Sequence, residues 1–326
     1  MRAARKDRYG PPEVVEVEDV DRPVPSGDRI LVRVRAASVN RADLDGLTPR
    51  PAFVRLFIGL RRPRNHHVGL DVAGVVEAVG PDATRFRVGD EVFADLSAYD
   101  DGAFAEYTCT REAAFERIPA GMSFETAATL PHAAILAVQG LRLRNGRTVQ
   151  PGDRVLIDGA SGNVGPFAIQ IAKSMGAEVT GVASPAKLDF VRSLGADHVI
   201  DYSRVDYTRT GERYHWIVDT DSHHSLFAVR RALVPGGVYV TLGGTTAPIL
   251  AALLVAPFLS RLVGKKMGLL IWWAPFKRED VATVLGLIAA GKVTPAIDRR
   301  YPLSEVVEAL KWVNDGHARG KVIITP

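Results

Sequence analysis

The chain has 326 residues, which on a prior of about 150 per domain predicts two domains, and 47% hydrophobic with 24% charged residues excludes disordered, collagen-like and coiled-coil chains. A single cysteine, Cys109, excludes an internal disulfide, a four-cysteine metal site and a Cys-x-x-Cys pair, and fits a reducing compartment. The 41 Lys and Arg against 37 Asp and Glu leave a net charge of +4 without a basic block, so the charge reads as solubility rather than nucleic-acid binding.

The segment Met1 to Lys6 is basic but runs into Asp7 to Pro12 with no apolar core, so no signal peptide is expected and a cytoplasmic location is. The first third reads as antiparallel β. Ile30, Val32, Val34 and Ala36 alternate with Arg33 and Arg35, the period of a half-buried strand, and Val72 to Val79 and Phe104 to Cys109 are further strands. After Pro119 the pattern changes. Leu130 to Leu141 reads as a helix, and short apolar strands then alternate with helices: Val155 to Asp158, Glu178 to Val182, His198 to Ile200, Trp216 to Val218 and Val238 to Leu242. That is the grammar of a parallel, doubly wound α/β sheet. Val164, Phe167, Ala168, Ile171, Ala172 and Met175 recur at helical spacing, and Gly176 and Gly195 stand where left-handed helix ends are wanted. The apolar run Ala247 to Leu259 is shorter than the roughly 20 residues of a membrane span, and reads as a buried or interface helix or as a membrane-surface segment. Helices over Asp280 to Ala290 and Ser304 to Asn314 and a strand over Lys321 to Thr325 close the chain.

Directly after the strand ending at Asp158 comes Gly159-Ala160-Ser161-Gly162-Asn163-Val164-Gly165, then the amphipathic helix. Glycines let a backbone approach a pyrophosphate, and the helix amino terminus supplies N–H groups and positive dipole, so this strand–loop–helix context predicts dinucleotide binding. An NAD site places a carboxylate at the end of the second strand. Here Val182-Ala183-Ser184-Pro185-Ala186-Lys187 holds none, which favours NADPH over NADH. Ser184 and Lys187 suit a 2′-phosphate, with Tyr202 adding a phenolic hydrogen bond, although Lys187 could equally be a solvated helix residue.

With that loop in place the chain resembles the zinc-lacking quinone oxidoreductase branch of the medium-chain dehydrogenase/reductase superfamily over nearly its whole length. The motifs are Ala37-Ser38-Val39-Asn40, Gly69-Leu70-Asp71-Val72-Ala73-Gly74, Phe86-Arg87-Val88-Gly89-Asp90, the Ala160 to Gly165 loop, Leu194 to Tyr202, and Gly316-His317-Ala318-Arg319-Gly320-Lys321. The resemblance implies a GroES-like, mainly β substrate domain from both chain ends (1–122 and 270–326) and an inserted Rossmann NADPH-binding domain (123–269), while the apolar segment after the fifth strand of that domain suggests a homodimer. It places Ser184, Lys187 and Tyr202 at the adenosine phosphate, Asn40 near the nicotinamide and substrate, Gly243-Gly244 at the turn passing the nicotinamide, and Lys321 over the cofactor. Zinc alcohol dehydrogenases of the superfamily have Cys where this chain has Asn40 and Gly-His-Glu where it has Gly69-Leu70-Asp71, so no metal is expected. His66 and His67, adjacent on an extended segment, point to opposite faces and do not face one ion together, and His223-His224 reads as a loop or a helix cap. The chain departs from the family at Asn163, where Gly is usual, at Pro131 to Gly140, and at Asn65 to Val68.

Without a Lewis acid, hydride transfer to a quinone or a conjugated enone is the easier chemistry, because the acceptor spreads the arriving charge. Asn40 is the candidate polar contact, Asp43 could orient it or cap a short helix, and His132 could donate a proton, its ordinary pKa lying near 6.5. Trp272, Trp273 and Phe276 could wall an apolar pocket. The competing readings are an NADPH-loaded sensor or structural protein, and a reductase of lipophilic acceptors at a membrane surface.

Overall fold

The computed structural model describes residues 1–49, 55–99, 101–143, 145–269 and 277–326. Trp272, Trp273 and Phe276 therefore lie outside the described residues. The chain opens with strands β1 (Arg2–Lys6), β2 (Val15–Asp19), β3 (Arg29–Val39), β4 (Asp71–Val79), β5 (Glu91–Asp95), β6 (Tyr107–Arg111) and β7 (Phe115–Arg117). It continues through β8 (Arg154–Asp158), β9 (Glu178–Ala183), β10 (His198–Asp201), β11 (Tyr214–Asp219), β12 (Leu233–Thr241) and β13 (Lys266–Leu269), and returns for β14 (Ile297–Pro302) and β15 (Lys321–Thr325). Two compact units result: Met1–Ala133 with Pro275–Val281 and Ile297–Pro326, and Ala134–Ala274 with Ala282–Ala296.

The first unit is built on a sheet ordered β14-β15-β3-β4-β5-β7, with β6 also paired to β3. In β3 the alternation holds from Val32 to Ala36, with Val32, Val34 and Ala36 buried and Arg33 and Arg35 exposed, whereas Ile30 and Leu31 are both buried. From Ala36 to Val39 both faces are buried, as a central strand between β15 and β4 requires. Val72, Val76, Val92, Phe115, Val322 and Ile324 join the same core, against Val306, Leu310 and Val313 of the helix Val306–Asn314. The register matters most for function. Ser38 pairs with Asp71 across β3 and β4, Asp71 with Asp95 across β4 and β5, and Val39 with Val322 across β3 and β15. One end of the sheet thus gathers the polar ends of four strands.

The second unit is a six-stranded sheet ordered β10-β9-β8-β11-β12-β13 with every adjacent pair parallel. That order is the dinucleotide-binding one, and it reverses direction between β8 and β11, where such sheets open a crevice at the strands' carboxyl ends. Gly176 and Gly195 take the left-handed conformations expected of them, φ +83° and +98°.

Two helices differ from the sequence expectation. The one expected over Leu130 to Leu141 starts only at Ala133, because Pro131 disfavours a helical Leu130 and a separate helix, Phe124–Ala128, capped by Ser123, ends just before it. The apolar run forms two helices, Thr246–Leu254 and Ala256–Val263, since Pro257 lacks an N–H and its ring clashes with the preceding turn. Ala252, Ala256 and Leu259 are buried whereas Leu254, Val255 and Phe258 are exposed. Among the described residues no helix is long and apolar enough to cross a membrane.

Candidate functional site

In the second unit the loop after β8 is shaped by close backbone approach. A Cβ on Gly165 would stand 2.4 Å from the carbonyl carbon and oxygen of Ala160, and one on Gly159 would stand 2.1 Å from Thr220 Oγ1. Gly162 differs: among the described residues a Cβ there would meet only Gly159 O, at 3.4 Å, so these residues do not demand a glycine there. An open glycine at the mouth of a phosphate loop leaves room for a ligand's backbone contact. The loop is tied down by Ala160 N donating to Val182 O at 3.0 Å and Gly162 N to Gly159 O at 3.1 Å. Asn163 has no positive φ, so a side chain in place of the usual glycine costs the loop nothing in conformation. The helix Gly165–Ser174 then presents its amino terminus, and these residues fit a dinucleotide's pyrophosphate.

Ser184 directly follows β9 and Tyr202 directly follows β10, and the β9–β10 register pairs Ala183 with Asp201, so the two side chains leave neighbouring strand ends. Tyr202 is largely exposed, and Lys187 N donates to Ser184 O at 3.0 Å in the short turn Pro185–Lys187. Gly243 accepts from Ser222 N at 3.0 Å, which places the Gly243-Gly244 turn beside the end of β11. The sequence reading missed the polar group at the reversal point. Asp158 and Asp219 are register partners there, Tyr239 OH donates to Asp219 Oδ2 at 2.9 Å, and Ser222 Oγ lies 3.0 Å from Tyr239 OH. Burial pushes Asp219 up to about 6, and burial together with Asp219 raises Asp158 well above the ordinary carboxylate range.

In the first unit Asn40, Asp43, His132 and Lys321 are brought together, all buried. Asp71 is their hub. Its Oδ2 accepts from Ser38 Oγ (2.9 Å), Asn40 Nδ2 (2.9 Å) and Lys321 Nζ (3.1 Å), and its Oδ1 accepts from the His132 backbone N–H (3.0 Å). His132 stands just ahead of the helix Ala133–Gly140, where a backbone N–H has no intrahelical acceptor, and Asp71 supplies one. Lys321 Nζ also donates to Asn40 Oδ1 at 2.6 Å, so the amide expected beside the nicotinamide is held by a buried ammonium, and the lysine expected over the cofactor is fully buried on it. His132 Nδ1 lies 2.9 Å from Asp95 Oδ2. Burial works against a charged imidazole, but Asp95 outweighs it, so His132 is raised and Asp95 lowered from their ordinary values. Asp43 does cap the helix Arg41–Leu47, its Oδ2 accepting from Asn40 N at 2.7 Å. Its Oδ1 is buried and has no hydrogen-bond partner among the described residues; burial and the nearby Asp71 push it up to about 7.

Two family models match. One, described as an alcohol dehydrogenase GroES-like domain, covers residues 26–120, and one described as a zinc-binding dehydrogenase covers 194–324. A chloroplastic quinone-oxidoreductase homolog of Spinacia oleracea is 32% identical over 100% of this chain and 98% of its own. The chain belongs to the quinone oxidoreductase-like branch of the medium-chain dehydrogenase/reductase superfamily. It is a medium-chain oxidoreductase. A chloroplastic NADPH-dependent alkenal/one oxidoreductase of Arabidopsis thaliana is 29% identical over 100% of this chain and 80% of its own. The solved quinone oxidoreductase of Coxiella burnetii superposes with a TM-score of 0.86 at 27% identity, covering 100% of this chain and 99% of that one.

A zinc-binding dehydrogenase needs a set of donors that this medium-chain oxidoreductase does not offer at these positions. Leu70 has no donor atom, the Asn40 oxygen is taken by an ammonium, and Asp71 already accepts four hydrogen bonds. Cys109 is buried on β6, and no group of three or more His, Cys, Asp or Glu side chains able to hold a metal occurs among the described residues. These residues do not fit a zinc ion. The histidine pairs are engaged singly: His66 Nδ1 meets Asp7 Oδ1 at 2.8 Å, and His224 packs edge-on against Tyr207. Asp95 and Asp158 escaped the sequence reading because a carboxylate ending an apolar strand carries no local mark of its partner.

Proposed function

We propose that this oxidoreductase uses NADPH to reduce quinones or α,β-unsaturated carbonyl compounds and works without zinc. The observation that carries this reading is the buried Asn40–Asp71–Lys321 cluster, in which an ammonium takes the donor atoms that a catalytic metal would need. The preference for NADPH is supported by strand ends that offer Ser184, Lys187 and Tyr202 and no carboxylate after β9. The spinach and Arabidopsis relatives, named for quinones and for alkenals and alkenones, support the acceptor class.

When bound, NADPH supplies the hydride. The loop from Ala160 to Gly165 would hold its pyrophosphate, and Ser184, Lys187 and Tyr202 its 2′-phosphate. For an enone, arrival of hydride at the β-carbon leaves an enolate that takes a proton, and the raised His132 imidazolium is the acid assigned to that step. Asn40, fixed by Lys321 and Asp71, gives a rigid polar contact to the acceptor. Asp43 supports Asn40 through its backbone N–H.

NADPH and NADH oxidation followed against a panel of quinones, enones and enals tests the reading. Turnover with NADPH on at least one of these classes is expected. Tight NADPH binding with no consumption on any acceptor would instead make the protein a sensor. The exposed Leu254, Val255 and Phe258 favour a second reading, lipophilic acceptors met at a membrane surface, and co-flotation with liposomes is its test.

A further inference from the structure

Asp71 and Asp95 stand opposite one another across β4 and β5, and both bond to the same residue. Asp71 Oδ1 accepts from the backbone of His132 at 3.0 Å, and Asp95 Oδ2 faces its ring Nδ1 at 2.9 Å. The other oxygen of Asp95 accepts from Ser97 N at 2.8 Å, so the carboxylate is gripped on both sides in a buried site. Among the described residues, charged or titratable groups face His132 from four elements: Asp95 on β5, Asp71 on β4, Lys321 on β15 and Asp43 on the helix Arg41–Leu47. Asp71 is matched by the Lys321 ammonium at 3.1 Å, and Asp43 binds the Asn40 backbone N–H, whereas Asp95 faces the ring at Nδ1. A buried carboxylate is satisfied by accepting the Nδ1–H of the ring, and that choice makes Nε2 the nitrogen whose proton comes and goes.

We infer that Asp95 is a positioning residue: it holds His132 in the form protonated at Nδ1 and so makes Nε2 the acid for reduction of conjugated carbonyl acceptors. The inference rests on the proposed role of His132 as proton donor. After hydride reaches the β-carbon, the Nε2–H bond breaks and its proton forms the C–H bond at the α-carbon of the enolate. The electron pair stays on Nε2, leaving a neutral imidazole with Nδ1–H still on Asp95, and water returns the proton. A quinone needs no carbon protonated, because the oxygens of its reduced form exchange protons with solvent. Loss of Asp95 therefore falls on enones rather than quinones.

The test combines 15N NMR of histidine-labelled full-length protein with pH profiles of kcat for one enone and one quinone, in wild type, Asp95→Asn and Asp95→Glu. In wild type the neutral His132 ring is expected to carry its proton on Nδ1. In Asp95→Asn its titration should fall by about one pH unit or more, and the basic limb of enone turnover should fall with it, an approximately tenfold loss above that limb. Quinone turnover should change by no more than about twofold, and Asp95→Glu should restore part of the titration shift. A wild-type spectrum with the proton on Nε2 overturns the assignment without recourse to any variant, as does an Asp95→Asn protein whose His132 signals and enone profile match wild type. If His132→Gln keeps full enone turnover, the proton-donor role itself falls, and the NMR result separates that failure from the failure of Asp95 to position the ring.

Discussion

Replacing Asp43 with Asn isolates the cost of a buried carboxylate. Asp43 has one oxygen bonded to Asn40 N at 2.7 Å and one buried oxygen with no partner among the described residues. Burial and Asp71 move it from an ordinary 3.8 to about 7, so its ionisation is harder in the folded chain than in the unfolded one. A carboxylate raised in this way is favourable to the fold while protonated, and stability is lost as pH climbs from the unfolded value through the folded one. The two values differ by about three pH units at about 1.36 kcal/mol each, so the loss on passing from about pH 4 to about pH 8 is on the order of 4 kcal/mol. Asparagine keeps an acceptor for the Asn40 N–H and never ionises. Denaturant unfolding of wild type and Asp43→Asn at several pH values should show curves that diverge as pH rises, the variant gaining on wild type between about pH 4 and about pH 8. A stability difference that stays constant over that range would refute the reasoning, because it would mean that Asp43 titrates alike in both states.

Lys187→Glu should weaken NADPH binding by about 10- to 100-fold while leaving NADH affinity near its starting value, since one charge-assisted bond to the 2′-phosphate is worth about 1.5–3 kcal/mol; fluorescence titration with both nucleotides checks it. Gly165→Ala, whose Cβ would stand 2.4 Å from the Ala160 backbone, is expected to disrupt folding around the loop, whereas Gly162→Ala, with only Gly159 O at 3.4 Å, should fold like wild type and lose dinucleotide affinity. Circular dichroism with the same titration separates the two. Lys321→Met leaves Asp71 buried without its ammonium and should cost about 3–5 kcal/mol, part of which Asp71→Asn in the same chain should return; unfolding of the single and double variants measures this.

Those parts of the molecule that repeat along the chain were legible in the sequence. The period-two run at Ile30 to Ala36 marks β3, and the strand–loop–helix around Gly159 to Gly165 marks the first βαβ unit, because both signals are local. Asn40, Asp43, His132 and Lys321 were singled out one by one, yet nothing local says that they meet. Their meeting depends on register: Ser38 with Asp71 and Asp71 with Asp95 are paired by strands that run antiparallel, and Lys321 arrives from the far end of the chain. Asp71 was visible only as part of a motif, and Asp95 not at all, since its partner His132 lies 37 residues away. Pro257 did announce the break in the apolar run, but a long hydrophobic stretch outweighs a single proline when only periodicity is weighed.

The most direct test of a metal-independent NADPH reductase is an isotope transfer. Protein stripped of metal by chelation, and assayed for residual zinc, is given NADPH deuterated at the transferring position of C4 together with an α,β-unsaturated ketone, and the product is read by NMR. The account predicts deuterium at the β-carbon, with the proton at the α-carbon drawn from solvent, at a rate indifferent to added zinc. NADPH bound but not consumed, or turnover that appears only when zinc is restored, would contradict it.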